Sequence, residues 1–170
     1  MKRFLHALYC DDIREEKTNK LTLVGVYSAD LYVSEFPAVL PKLAIFVTLA
    51  TPVEEPFRQL EIKLKLDDEV IANISTSQEE LKKGIGAIAE VAASPSAPEP
   101  NDVTGSKRFT ELRSILVLSP FTIVKECILR VIATTESGDL RCPALRISLT
   151  PSVAAPSNVG NAVENALARQ

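Results

Sequence analysis

The chain has 170 residues, 46% of them hydrophobic, with 19 basic and 22 acidic side chains for a net charge of −3. That length suits one domain whose core needs no disulfide or metal staple. The basic residues are scattered and aromatics make up only 5%, so the chain lacks both the basic face that neutralises phosphates and the rings that stack on bases. No nucleic-acid partner is expected.

The opening stretch, Met1 to Cys10, has a basic tip and a short apolar run that Asp11, Asp12 and Arg14 soon end. It is too short for the apolar region of a signal peptide, and no later run reaches membrane-crossing length. The expectation is a cytoplasmic protein with no membrane partner. Three cysteines fit that setting, because an odd count is poor disulfide arithmetic. They are expected to stay reduced and pack as small hydrophobes, with Cys127 and Cys142 on neighbouring strands but not opposite each other.

Period two dominates the rest. Leu21 to Tyr27 and Leu31 to Val33 read as a β pair, with Ser28, Ala29 and Asp30 between them. Phe36-Pro37 and Leu40-Pro41 bracket a turn, since proline cannot donate to a ladder. From Lys42 to Ala50 both faces are fairly dry, which predicts a central strand. Leu60 to Leu66 alternates apolar with charged residues, and Glu61, Lys63 and Lys65 form its water side. Asp67-Asp68 turns that strand into a hairpin with Val70 to Ile74.

Ser77 and Glu80 form a capping box, after which Leu81, Ile85, Ile88 and Ala92 share a helical face. A short helix is predicted, weakened by Gly84 and Gly86, followed by a proline-rich loop from Ser94 to Asp102. Strands return at Leu112 to Leu118, Cys127 to Ala133 and Leu145 to Leu149, with a turn at Glu136 to Asp139. About eight short strands predict an all-β, antiparallel β-sandwich over 1–150, with a helix-and-loop insert at about 77–107. A linker and short C-terminal helix are expected over 151–170, with Asn158 as cap and Val159, Ala162, Val163, Ala166 and Leu167 on one face.

Four clusters also carry a resemblance. Cys10-Asp11-Asp12-Ile13-Arg14, Lys20 to Tyr27, Phe36-Pro37 and Leu40-Pro41-Lys42-Leu43 stand in the order and spacing of a family of uncharacterised bacterial proteins. The chain resembles that family well from Phe4 to Val47 and loosely up to Ile74. Leu118 to Phe121 resembles the entry to its closing strand without the usual Gly and Tyr, and Arg130-Val131 with Gly138-Asp139 resembles its last hairpin. The resemblance implies an immunoglobulin-like β-sandwich. It transfers no activity or binding residue.

Candidate chemistry is sparse. Asp11, Asp12, Glu15 and Glu16 are the densest acidic cluster and could face a hard cation, but they lack calcium-loop spacing and its glycine. A solvated turn capped by Asp side chains is the plainer reading. His6, the only histidine, would have to serve any Ser or Cys nucleophile, and Cys10 lies on its side of a strand. No Gly-x-Ser-x-Gly turn accompanies it. One His and three Cys lack the close spacing of a zinc site. Gly84 to Ala89 mimics part of a dinucleotide loop in the wrong context. Lys82-Lys83 and Lys107-Arg108 read as solvated charge.

No catalytic residue, metal or cofactor is therefore predicted, and Asp11, Asp12 and His6 are the candidate ligand-binding residues. The leading expectation is a non-catalytic cytoplasmic interaction module that binds another protein or a second copy as a homodimer. Val159, Val163 and Leu167 are its candidate interaction residues. The alternatives are a small-ligand binder, with a pocket between the sandwich edge and Ser77 to Ala93, and a small enzyme of unrecognised type using Asp11, Asp12 and His6.

Overall fold

The computed structural model describes residues 2–17, 20–77, 79–81 and 109–151. Alternation of apolar and polar side chains turns most of these into strands. β1 (Phe4–Glu15), β2 (Leu21–Tyr27), β5 (Leu43–Pro52) and β8 (Phe109–Leu118) form an antiparallel sheet in the order β2-β1-β5-β8. A second sheet runs β3-β12-β10-β6-β7, from β3 (Asp30–Val33), β12 (Leu145–Leu149), β10 (Cys127–Thr135), β6 (Leu60–Leu66) and β7 (Glu69–Thr76). β11 (Gly138–Arg141) also pairs with β10, and β4 (Ala38–Leu40) pairs with β9 (Phe121–Ile123).

The buried faces follow the sequence pattern. Along β10, Cys127, Leu129, Val131, Ala133 and Thr135 are buried while the residues between are half-buried. β6 buries Leu60, Ile62 and Leu64 beside them, with Val131 opposite Leu64. β5 lies between β1 and β8 and is dry on both faces, as its sequence predicts. Leu5, Ala7 and Tyr9 of β1 join Ile45 and Val47 of β5 and the β6 and β10 side chains in one core. The phenol of Tyr9 crosses between the sheets and donates to the Leu129 carbonyl at 3.4 Å. Among the described residues, no buried side-chain polar atom lacks a hydrogen-bond partner, and no helix is long and apolar enough to cross a membrane.

Two expectations change. Twelve strands are present among the described residues rather than about eight: β4, β9 and β11 have only three or four residues each and leave almost no periodic signal, and the opening run read as a short apolar stretch ended by Asp11 and Asp12 is the twelve-residue β1. The expected pair of Leu21–Tyr27 with Leu31–Val33 does not form. β3 instead pairs in parallel with β12, placing Leu31 opposite Ile147. Ser28-Ala29 lacks the Asn-Gly chemistry of a tight hairpin, so the chain leaves the first sheet and buries Leu31 and Val33 in the second. The Arg146 amide donates to the Ala29 carbonyl at 2.9 Å and fixes that crossing.

At the predicted helix start, Glu80 accepts from the Ser77 amide at 2.9 Å and the Glu80 amide donates to the Ser77 hydroxyl at 3.3 Å. The rest of the predicted helix, the Ser94 to Asp102 loop and the C-terminal helix lie outside the described residues.

One polar junction ties the start of β1 to the second sheet. The Arg3 guanidinium donates to the Thr51 hydroxyl at 3.1 Å and to the Glu55 carbonyl at 3.0 Å, and pairs with Glu136 at 2.6 Å. It also lies over the Phe57 ring, 4.8 Å from the centroid. Glu136 accepts in turn from the amides of Arg58 and Gln59. Burial alone would favour its neutral acid, but Arg3 and these amides outweigh burial and hold its carboxyl at about 2.

A carboxyl depressed on folding lends stability above its ordinary pKa and loses it as pH falls through the folded value. Urea unfolding should therefore show the Glu136 contribution complete at pH 7 and fading between pH 4.5 and about 2. Glu136→Gln should cost about 1–3 kcal/mol at pH 7 and flatten that acid slope. An unchanged slope in the variant would mean that Glu136 does not carry it.

Candidate functional site

Three of the four clusters that carry the family resemblance meet at an elbow in the β1–β2 ribbon. β1 pairs with β5 from Phe4 to Cys10 and with β2 from Tyr9 onward, so its middle is shared by both neighbours. Cys10 stands opposite Ala44, is fully buried, and points its thiol at the Ala44 carbonyl at 3.6 Å. Two residues on, Asp12 accepts hydrogen bonds from the Lys42 ammonium and, at 3.1 Å, from Arg14.

Asp11 falls against Gly25, whose φ of +66° favours glycine. A Cβ there would sit 2.6 Å from the Asp11 Cγ. The same carboxylate accepts from the Tyr27 hydroxyl. Asp11 and Asp12 thus lie inside β1 rather than in the expected solvated turn, and the Cys-Asp-Asp run, the strand glycine and tyrosine, and the Pro-Lys-Leu lysine are one contact set.

The electrostatics match an anchoring role for these groups. Lys42 first, and then Arg14, hold the Asp12 carboxyl below its usual range. Burial, helped by the hydrogen bond to Asp11, pushes the Tyr27 phenol up to about 12. Burial, with Asp11 and Asp12 adding negative charge, pushes the Cys10 thiol up, away from the reactive thiolate. Burial does the same for Cys127 and takes Cys142 to about 11. All three cysteines are free. Cys142 faces the Val131 carbonyl, at the middle of β10 and four residues along from Cys127. Among the described residues, no three His, Cys, Asp or Glu side chains converge in a way that could hold a metal ion.

His6 belongs elsewhere. It stands opposite Thr48, on the face of the first sheet turned away from the core. There it lines an open groove of about 680 Å³ with Phe4, Phe46, Leu21 and Leu23. Leu23 pairs with Ile13, seven residues beyond His6, and a straight strand would separate those two by roughly 23 Å. A shared groove therefore requires the ribbon to bend back over the sheet at the Gly25 elbow.

Lys20, Glu111 and Arg113 complete the rim, with Arg113 paired to Glu111 at 3.0 Å. Neither Asp11 nor Asp12 lines the groove, so the three candidate ligand-binding residues do not form one site. Sequence reasoning missed the groove because its walls come from strands far apart in the chain; only the alternation of Phe4 and His6 hinted at an exposed face.

A smaller cavity of about 320 Å³ lies beside the Asp67 turn, lined by Asp68, Glu69, Thr122 and Lys125. Asp67 itself is spent on the fold: its amide donates to the Ile128 carbonyl at 2.8 Å and its carboxylate accepts from the Ile128 amide at 2.9 Å. The candidate interaction residues Val159, Val163 and Leu167 lie outside the described residues, as does most of the Ser77 to Ala93 wall expected for a pocket.

The model of a family of unknown function, DUF6941, matches residues 5–105, more than half of the chain. That span contains the whole elbow. No curated protein matches the chain.

Two outcomes test the elbow as an anchor. Gly25→Ala should destabilise by about 1–3 kcal/mol, from strained backbone and displacement of the Asp11 carboxylate. In an Asp11→Ala background its cost should shrink, because only the backbone strain remains. Strict additivity would refute the contact. The thiols should react with iodoacetamide at pH 8 at least ~10-fold more slowly in folded than in urea-unfolded protein. A single cysteine labelling at the unfolded rate would show a reactive site at that position.

Proposed function

The chain belongs to this family of unknown function, so no activity comes with membership, and we propose that it is a non-catalytic protein-interaction module. The observation that carries the proposal is how the polar groups are used. Asp11, Asp12, Tyr27 and Cys10 are all engaged in holding the elbow. A long strand edge, by contrast, has no strand partner among the described residues. Among the described residues β8 pairs only with β5, and Ile115 and Val117 are exposed along it. Exposed strand edges recognise other chains by main-chain pairing, with side-chain pockets adding selectivity.

The two facing sheets with a common aliphatic core support an immunoglobulin-like sandwich as the architecture. Three free cysteines are consistent with a cytoplasmic setting. Such modules act by presenting a surface, which needs no nucleophile, base or cofactor.

A second reading is favoured by the groove at His6. Its apolar walls, with Lys20 on the rim beside the Arg113–Glu111 pair, suit a small amphipathic anion held by Lys20. Here the candidate ligand-binding residue is His6, with Asp11 and Asp12 supporting the ribbon that forms one wall.

A photo-cross-linker at Val117 in cells separates the two. Cross-linking to protein at Val117, and none at Val39 as an exposed control on β4, is the expected result. A bare Val117 with a small molecule retained in native mass spectrometry would overturn the module and favour the ligand.

A further inference from the structure

We propose that the partner for the β8 edge is a second copy of this chain, paired edge to edge in antiparallel fashion across a two-fold axis. This rests on the interaction-module reading and names its occupant.

Natural strand edges are blunted by lysine, proline, bulges or short length. β8 runs ten residues, from Phe109 to Leu118, without lysine or proline. Its pairing with β5 is continuous from Phe109–Pro52 to Leu118–Leu43. Its outward side chains are Phe109, Glu111, Arg113, Ile115 and Val117, because Thr110 and Leu116 are the ones turned to the core.

A two-fold axis perpendicular to the sheet places side chains of the same face opposite each other. Register is then set by charge. Centring the axis on Arg113 sets Arg113 against Arg113, and centring it on Glu111 sets Glu111 against Glu111. Like charges directly opposite destabilise a strand pair. Centring it on Leu112 sets Glu111 of each copy against Arg113 of the other, twice by symmetry. The same register sets Phe109 against Ile115, an aromatic with a β-branched side chain, on the same face.

Within one copy Glu111 and Arg113 already pair at 3.0 Å with both side chains largely exposed, so both are accessible to trade that contact for the cross-strand one. The strand is therefore self-complementary in charge, shape and hydrogen-bonding direction. The two first sheets become one continuous sheet, an isologous contact of the kind that closes dimers.

The test uses the full chain and sedimentation velocity. Wild-type protein should be a dimer. Arg113→Glu alone and Glu111→Arg alone should each weaken self-association by roughly tenfold or more, since each sets like charges opposite twice. Mixing the two variants should restore a dimer containing one of each. One copy then carries a cation at both positions and the other an anion at both, so each cross-strand pair again joins opposite charges. Both sites are exposed, and circular dichroism of each variant confirms its fold.

A monomeric wild type, or a mixture that stays monomeric while the wild type dimerises, would overturn this interface. A monomeric wild type whose Val117 still cross-links to a different protein would overturn the second copy as partner but keep the interaction module. Loss of all cross-linking at Val117 would remove both.

Discussion

A core without tryptophan, in a chain with few rings, has to be closed mainly by aliphatic side chains. They close only when the inner faces of β1 and β5 meet those of β6 and β10, where Ile45, Val47, Leu64, Leu129 and Val131 leave water together. Each such side chain contributes about 1.5–3 kcal/mol when fully buried. Every other feature depends on that contact. It sets which residues of β1 face inward and hence which face outward to make the groove at His6. It also brings the Tyr9 phenol to the Leu129 carbonyl and Arg3 to Glu136.

The elbow shows how the outer layer follows from the inner one. β1 is longer than the sheet that buries it, and its far half must leave β5 with only β2 as partner. A two-stranded ribbon is marginal by itself. Asp11 against Gly25 and Tyr27, and Asp12 between Lys42 and Arg14, supply the fixed points that let it bend back and cover Cys10. Residues that look like a loose acidic cluster are thus explained by position, with no substrate required. The buried thiols fit the same account, since desolvation disfavours their charged form.

The surface is where the protein has free energy left to use. β8 retains unpaired main-chain groups along one side among the described residues, while Ile115 and Val117 keep apolar area in water. A charged pair two residues apart on that strand can satisfy itself within one chain or satisfy a symmetry mate. Association through such an edge adds main-chain hydrogen bonds in the direction the sheet already runs, so it needs little rearrangement of the fold.

Much of this was legible in the sequence. Alternation in Leu60 to Leu66 and Cys127 to Ala133, and the dry run of Leu43 to Ala50, determined the all-β class, the hairpin at Asp67 and the central place of β5. Those signals are strong because period two acts over seven or more residues and one face must be dry. The close spacing of Asp11, Asp12 and Arg14 read as a solvated turn, but these residues lie inside β1 and pair with β2, because their side chains find partners across the ribbon. The short strands β4, β9 and β11 carried no such signal, and the partner of β3 could not be read from its neighbours in the chain. Only the tertiary structure decided that Leu31 pairs beside Ile147, that Lys42 meets Asp12, and that His6 and Leu23 share a groove. Local pattern states which face of a strand avoids water, but which strand supplies the other half of the contact is settled by packing between residues far apart in the chain.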